Sequence, residues 1–415
     1  MPRTVRCLRL PLVLLATATT ACAGSRAARR ADAGLHMADS LVASWVDTGR
    51  IPGAVLLVSR DDSTILEKAY GWAQLNDYGR GQYGNWPGIQ RLAHPVPMTT
   101  ATVFDLASVT KVMATTFAVM MLADDGKLEL DAPLRTYLPD FRGPEKDRIT
   151  LRMLLTHRAG LYQWQPVFYH AANEREAYAY IRDLPLEWTP GAERHYSDLG
   201  FMLLGLVVER VSGQPLDRFV HDRLYGPLGL MHTGFRPGQA GPFAATSLGN
   251  PYEFRMVHDT TFGYRYAGDP AAWNGWRHRT LLGEVNDGNA YHAFGGVAGH
   301  AGLFSTAGDL DVLLQVLLHR GEYRGRRYVR AATVDTFMTP TGDGQALGWQ
   351  VPSFAPAGSF DHTGFTGTYV LGVPARGLAV VLLTNRQNVG VDARTRYPDL
   401  DPLRRAVAEA LLRPN

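Results

Sequence analysis

The chain has 415 residues, 46% of them hydrophobic and 20% charged, with a formal net charge of +3. That length is too great for one small core and fits one large domain or two closely packed ones. A balance this close to neutral, with no Lys/Arg-rich run beyond the N-terminal tract, argues against a nucleic-acid partner.

Arg3, Arg6 and Arg9 precede a short apolar run from Leu10 to Ala16 and small residues from Thr17 to Ala21. This is the pattern expected of an export signal over 1–21. The apolar run is too short to span a bilayer. The only cysteines are Cys7, inside this segment, and Cys22, at its border, so the chain beyond holds no disulfide. Cys22, followed by Ala23-Gly24-Ser25, resembles the acceptor cysteine of a bacterial lipoprotein, although Thr19 stands where that pattern prefers leucine. The expectation is an exported protein of the bacterial cell envelope, periplasmic or anchored by a lipid on Cys22. Residues 22–33, rich in Ala and Arg, would form its tether.

A helix is predicted from about Leu35 to Val46, with Leu35, Met37, Leu41 and Val42 on its apolar side. Gly53–Ser59 and Thr64–Tyr70 read as paired strands joined by a turn at Arg60–Ser63. Residues 71–98, rich in Gly, Asn, Pro and Tyr, read as a long loop whose Tyr78, Tyr83 and Trp86 are candidates to line a substrate mouth, although loop aromatics more often pack on their own surface. Helices follow at Leu151–Thr156, Glu174–Arg182, Leu199–Val211 and Leu216–Leu224. The 236–295 stretch is Gly- and aromatic-rich with weak periodicity. A helix is predicted at Leu310–Leu318, strands at Ala346–Val351, Thr366–Val373 and Leu378–Leu383, and a last helix around Leu403–Leu412. Strands early and late with helices between them imply an α+β fold. Its antiparallel sheet would be flanked by helices and divided as 34–140 and 301–415, with a mainly helical insertion at 141–300.

The chemistry concentrates in F-D-L-A-S-V-T-K-V-M-A-T-T-F-A-V-M-M-L. Val109, Val112, Met113, Phe117, Met120 and Met121 recur at helical spacing, so this run reads as a buried helix. Ser108 and Lys111, three apart, would share one of its faces. Burial disfavours a charged lysine and lowers its pKa, and a neutral amine beside a serine is a base beside a nucleophile. The same spacing also arises where a lysine merely reaches solvent. However, among 42 Lys and Arg only Lys68, Lys111, Lys127 and Lys146 are lysine. Arginine, the default cation here, cannot give up its proton.

Two further clusters stand out. Tyr196-Ser197-Asp198 precedes the helix of Leu199. Ser197 or Asp198 could be a simple N-cap there, which leaves Tyr196 free to act as a proton relay with its phenol lowered by a nearby ammonium. His362-Thr363-Gly364 leads into a strand, where Gly364 and Gly367 would let a ligand approach the backbone; alone it is a turn with a histidine. No G-x-S-x-G elbow occurs. His292 and His300 suit no common zinc spacing. G-G-V-A-G-H-A-G lacks the Lys-Ser/Thr of a phosphate loop, so a backbone turn near the active-site sheet is its expected role. His157 is expected to anchor a turn.

Taken in order, S-x-x-K at 108–111, Y-S-D at 196–198 and H-T-G at 362–364 resemble the serine β-lactamase and penicillin-binding protein superfamily. The surrounding F-D-L-A-S-V-T-K, L-L-T-H-R-A-G-L and G-G-V-A-G-H-A-G-L-F-S-T-A are similar to its class C-related branch. That branch also holds D-alanyl-D-alanine carboxypeptidases and family VIII-type esterases. Gly283–Tyr291 looks most like the penicillin-binding protein 4B-type subgroup. The resemblance implies the β-lactamase/transpeptidase-like fold, no cofactor or metal, and a small-molecule or peptidoglycan-peptide substrate. It implies that Ser108 is acylated, that Lys111 and Tyr196 share its proton, and that the backbone N–H groups of Ser108 and Phe365 form an oxyanion hole. Asp198, His362, Thr363 and Gly364 would contact substrate, His362 near its carboxylate. Two positions depart from the pattern. Asp198 stands for asparagine and would favour a charged Lys111, so either it turns away or Tyr196 is the operative base. His362 stands for lysine and is mostly neutral at neutral pH, which favours ester or peptide substrates over β-lactams. A penicillin-binding sensor or envelope interaction module with little turnover is the alternative.

Overall fold

The computed structural model describes residues 33–79, 88–238 and 241–413. The export-signal segment 1–21, Cys22 and nearly all of the 22–33 tether lie outside them, as do Tyr83 and Trp86. Six antiparallel strands form the main sheet in the order β3-β2-β1-β11-β10-β9. These are β1 (Gly53–Arg60), β2 (Ser63–Tyr78), β3 (Ile89–Pro97), β9 (Phe360–Thr363), β10 (Thr368–Val373) and β11 (Leu378–Thr384). Two distant parts of the chain thus meet at the sheet's centre, where Ala54 faces Thr384 and Arg60 faces Leu378.

The central strands are buried on both faces, and their alternation divides the core. Ala54, Leu56, Val58, Val380 and Leu382 pack against α1 (33–47) and α11 (Asp401–Leu412). Val55, Leu57, Val381 and Leu383 face the larger core, where α9 (Ala307–Leu318) lies on the sheet. Deeper in that core sit α2 (Phe117–Asp124) and α5 (Asp198–Ser212). The run 107–124 is apolar and long enough to cross a membrane, but 83% of it is buried inside the fold. It is a core helix.

Between the two halves of the sheet come α3 (Leu151–Leu155), α4 (Glu174–Asp183), α5, α6 (Leu216–Val220), α7 (Gly226–Leu228) and α8 (Pro251–His258). Ser197 caps α5 by accepting the Gly200 N–H, and Gly213 closes it at φ +70°, a left-handed turn that favours glycine. A second small sheet joins β4 (Phe104–Asp105), β6 (Leu303–Ser305) and β5 (Gly234–Phe235) in that order. Outside these, β7 (Glu322–Tyr323) pairs with β8 (Arg326–Arg327), followed by α10 (Ala331–Met338).

Two expectations are corrected. The 71–98 loop is in large part strand: β2 runs on to Tyr78, and β3 pairs with it across irregular register. β3 is an edge strand with mostly exposed side chains, so it lacks the apolar alternation that marks a half-buried strand. Conversely, 346–351 forms no strand. Gly348 turns there at φ +83°, and Ala346, Leu347 and Trp349 are buried in a turn held by isolated bridges at Gln345 and Gln350. The apolar run reflects burial, which a turn satisfies as well as a strand.

Candidate active site

The site begins where β4 turns into the core helix. Asp105, at the end of β4, accepts the Ala107 N–H at 2.8 Å on one oxygen and the Asn286 N–H at 2.6 Å on the other. Ala107 sits at φ +46°, a strained conformation for a residue with a Cβ. This sharp turn presents Ser108 at the start of the helical run. Lys111 opens a π-helical stretch, Lys111–Thr116, that runs directly into α2.

Lys111 is completely buried. Its Nζ donates to Ser108 Oγ at 2.9 Å and to the His300 carbonyl at 3.2 Å, and lies 2.7 Å from Asp198 Oδ1. The His300 carbonyl comes from the glycine-rich turn before β6, where Thr115 Oγ1 also donates to Gly299 O at 2.6 Å. The glycine cluster therefore holds backbone against the helix that carries Lys111. Asp198 does not turn away. Burial alone would push the Lys111 amine down, but the Asp198 carboxylate and Tyr196 outweigh it, and the amine stands above its ordinary value.

Tyr196 packs its ring 5.0 Å from Lys111 Nζ, and its hydroxyl is within hydrogen-bonding reach of both Lys111 and Ser108. The expected lowering of this phenol is corrected. Lys111 does draw it down, but burial, with Asp198 adding to it, leaves it raised. Ser197 is the N-cap, while the Asp198 side chain serves Lys111 and its backbone N–H donates to Gln163 O at 3.0 Å. His157, buried at φ +58°, accepts the Ser197 N–H at 3.1 Å on Nδ1 and packs against Tyr196, the rings tilted by 33° with centroids 4.4 Å apart. It anchors its turn and positions the tyrosine.

The third motif lies on β9, the sheet edge beside this turn. Thr366 Oγ1 donates to the Asp105 carbonyl at 2.7 Å and Thr368 Oγ1 to the Leu106 carbonyl at 2.9 Å. The backbone of Gly364 passes so close that a Cβ there would meet Leu106 O at 2.4 Å. Arg404 of α11 donates to Gly364 O and Thr368 O, each at 3.1 Å, and Arg386 donates to Phe365 O at 2.7 Å. His362 is 1% exposed, and its Nδ1 is bonded to Thr363 O at 2.9 Å. Burial, with Lys111 nearby, pushes it down to about 3, so the ring is neutral.

A cavity of about 230 Å³ opens at Ser108 and Tyr196. Phe365 lines it, whereas His362, Thr363 and Gly364 are not among its lining residues. Sequence reasoning missed most of the rest: Trp164, and Tyr252, Glu253, Tyr264, Asn286 and Asp287 from the 236–295 stretch. Those residues carry no helical or strand periodicity to signal them. The 71–98 segment supplies none of the described lining residues, and the Tyr78 hydroxyl is bonded to His278 instead. Among the described residues no group of three or more His, Cys, Asp or Glu is arranged to hold a metal ion.

The family model described as Beta-lactamase matches residues 38–402. An "N-acetylmuramyl-L-alanine amidase" of Bacillus subtilis (strain 168) is 35% identical over 387 residues, covering 86% of this chain and 82% of that protein. A "Putative D-alanyl-D-alanine carboxypeptidase" of Escherichia coli (strain K12) is 34% identical over 395 residues, covering 88% and 85%. Among solved structures, a class C β-lactamase from Rhodobacter sphaeroides superposes with a TM-score of 0.61 at 21% identity, covering 90% of this chain and 98% of its own.

Proposed function

Because the chain belongs to the β-lactamase family of serine hydrolases, we propose that Ser108 attacks the carbonyl of a peptidoglycan-derived amide and carries its acyl group as an ester. The observation that carries this reading is the buried Lys111, bonded to Ser108 Oγ with Tyr196 alongside. In the resting site both Lys111 and Tyr196 hold protons, so the pair must first release one. The deprotonated pair then accepts the Ser108 proton as the Oγ–C bond forms and passes it to the leaving nitrogen as the C–N bond breaks. Water repeats the sequence on the ester, and Ser108 recovers its proton. Backbone N–H groups of Ser108 and Phe365 are the proposed donors to the oxyanion.

The buried, neutral His362 offers no positive charge to a substrate carboxylate. A substrate whose carboxylate the family pattern directs there, a β-lactam or a D-alanyl-D-alanine terminus alike, should therefore turn over more slowly than an amide or ester lacking one. The curated relatives support both a muramyl-L-alanyl and a D-alanyl-D-alanyl amide as the physiological bond. Export on the 1–21 signal, with Cys22 as the lipid acceptor, would place the enzyme beside such substrates. The test is intact-protein mass after brief exposure to four compounds: a muramyl-L-alanyl peptide, a D-Ala-D-Ala peptide, a p-nitrophenyl ester and a penicillin. The expected result is an adduct on Ser108 and turnover of at least one cell-wall amide, with a loss on the order of 10³-fold or more in Ser108→Ala. Full activity in that variant would sink the proposal. A long-lived penicillin adduct with no turnover of anything would establish the sensor reading instead.

A further inference from the structure

The lining of the Ser108 cavity is acidic. Three carboxyl groups line it, those of Asp198, Glu253 and Asp287, and their partners are unequal. Asp198 has Lys111 at 2.7 Å. Asp287 has His300 Nε2 at 2.9 Å and the Ala290 N–H at 2.8 Å. Glu253 is 9% exposed; its Oε1 accepts the Gly288 N–H at 2.7 Å, and its Oε2 hydrogen-bonds no described residue. Arg277 lies nearby but is committed elsewhere, to Asn250 Oδ1, Val285 O and Asn286 O. Burial and the neighbouring Asp287 push the Glu253 carboxyl up to about 8. Arg277 draws it the other way without offsetting this, and no described cation stands within ion-pair distance of Glu253.

The rest of the wall suits the missing partner. Trp164, Tyr252, Tyr264 and Phe365 present rings to the same space, and ring faces attract cations, more strongly where water is excluded. We propose that Glu253, with Asp287 and these rings, forms a subsite for a primary ammonium group on the substrate. The inference rests on the reading that substrate is processed at Ser108, and it narrows the substrate to one bearing an amine, such as a diamino-acid side chain or a free α-amino group.

Calorimetric titration of the full chain with n-pentylammonium, 1-pentanol and pentanoate at about pH 9, where the Glu253 carboxyl has lost its proton and the amine keeps its own, tests the subsite without requiring activity. The ammonium is expected to bind about ten-fold tighter than the alcohol, and pentanoate weakest. Glu253→Gln should remove most of that margin, and Tyr264→Leu a few-fold of it should Glu253→Gln fail to fold. Equal binding of ammonium and alcohol, or preference for pentanoate, overturns the proposal. The same titration on Ser108→Ala keeps its fate separate from that of the acyl-enzyme. In turnover, p-nitrophenyl 6-aminohexanoate should exceed p-nitrophenyl 6-acetamidohexanoate in kcat/KM by about the same ten-fold margin. In Glu253→Gln that ratio should fall to near one; a ratio unchanged by the substitution counts against the assignment.

Discussion

At the scale of single residues, Asp198 decides how the site responds to pH. Its carboxylate raises Lys111 directly and also raises Tyr196. Whichever of the two takes the Ser108 proton, activity requires the pair to have lost one proton, so kcat/KM should climb as pH rises above neutrality. Asp198→Asn removes a charge that opposes this loss at both groups, and the ascending limb should move to lower pH. A pH–rate profile of the two proteins checks it; a limb that stays in place or moves upward would mean that neither group is the base. The cost is looser placement of Lys111, because asparagine offers no ion pair across the 2.7 Å contact. A lower plateau at high pH is therefore expected alongside the shift.

At the scale of elements, the Ser108 turn is held both by the Asp105, Thr366 and Thr368 side chains and by close backbone approach at Gly364. Gly364 has no room for a methyl group: an added Cβ would meet Thr368 Oγ1 at 2.0 Å and Leu106 O at 2.4 Å. Gly364→Ala should cost about 1–3 kcal/mol in denaturant unfolding. It should also lower kcat, since β9 and the Ser108 turn cannot both keep their places. Unchanged kinetics in a destabilised variant would separate the sheet edge from the chemistry. The elements that were legible in the sequence are those with two-sided or periodic burial. β1, β11, α5, α9 and α11 announce themselves because their apolar spacing is dictated by what they pack against. β3 and β9 do not, since an edge strand need bury little and β9 is only four residues long. Ser108, Lys111 and Tyr196 were legible as a pattern of residue types. The charge on Lys111 was not, because it depends on where a carboxylate 87 positions away comes to rest. Glu253 gave no signal at all: an acid among aromatics looks like surface until the fold buries it.

At the scale of the whole molecule, buried titratable groups set the pH range of stability. Glu253 is raised to about 8 and Glu209 to about 7, both chiefly by burial. A carboxyl group with a raised folded pKa contributes fully below its unfolded value, near 4.5, and loses that contribution as pH rises through the folded one. His157 is lowered by burial, and likewise His292 to about 4 and His362 to about 3. Their contributions are complete above about 6.5 and fade as pH falls. Between these limits the two sets oppose one another. Above 6.5 the histidines are neutral in both states, and the acids act alone. Tm should therefore fall by a few degrees between about pH 6.5 and 8.5. Glu253, whose carboxyl is raised by burial and by Asp287, pulls stability down across that interval. Glu253→Gln should flatten the decline, and differential scanning fluorimetry across the interval reads it directly.

The meeting of β1 with β11, with Arg404 reaching from α11 to Gly364 and Thr368 at the β9–β10 turn, also bears on synthesis. A nascent chain carries Ser108, Lys111 and Tyr196 long before the ribosome has made the strand that closes the sheet or the arginine that seats the third motif. Pairing partners more than 300 positions apart make such closure slow. A chain stalled before residue 378, or clipped ahead of α11, would hold most of the reactive side chains without the frame that aligns them. Activity at Ser108 is therefore expected only in chains that extend through the last strand and helix, and truncations ending before residue 378 should show none.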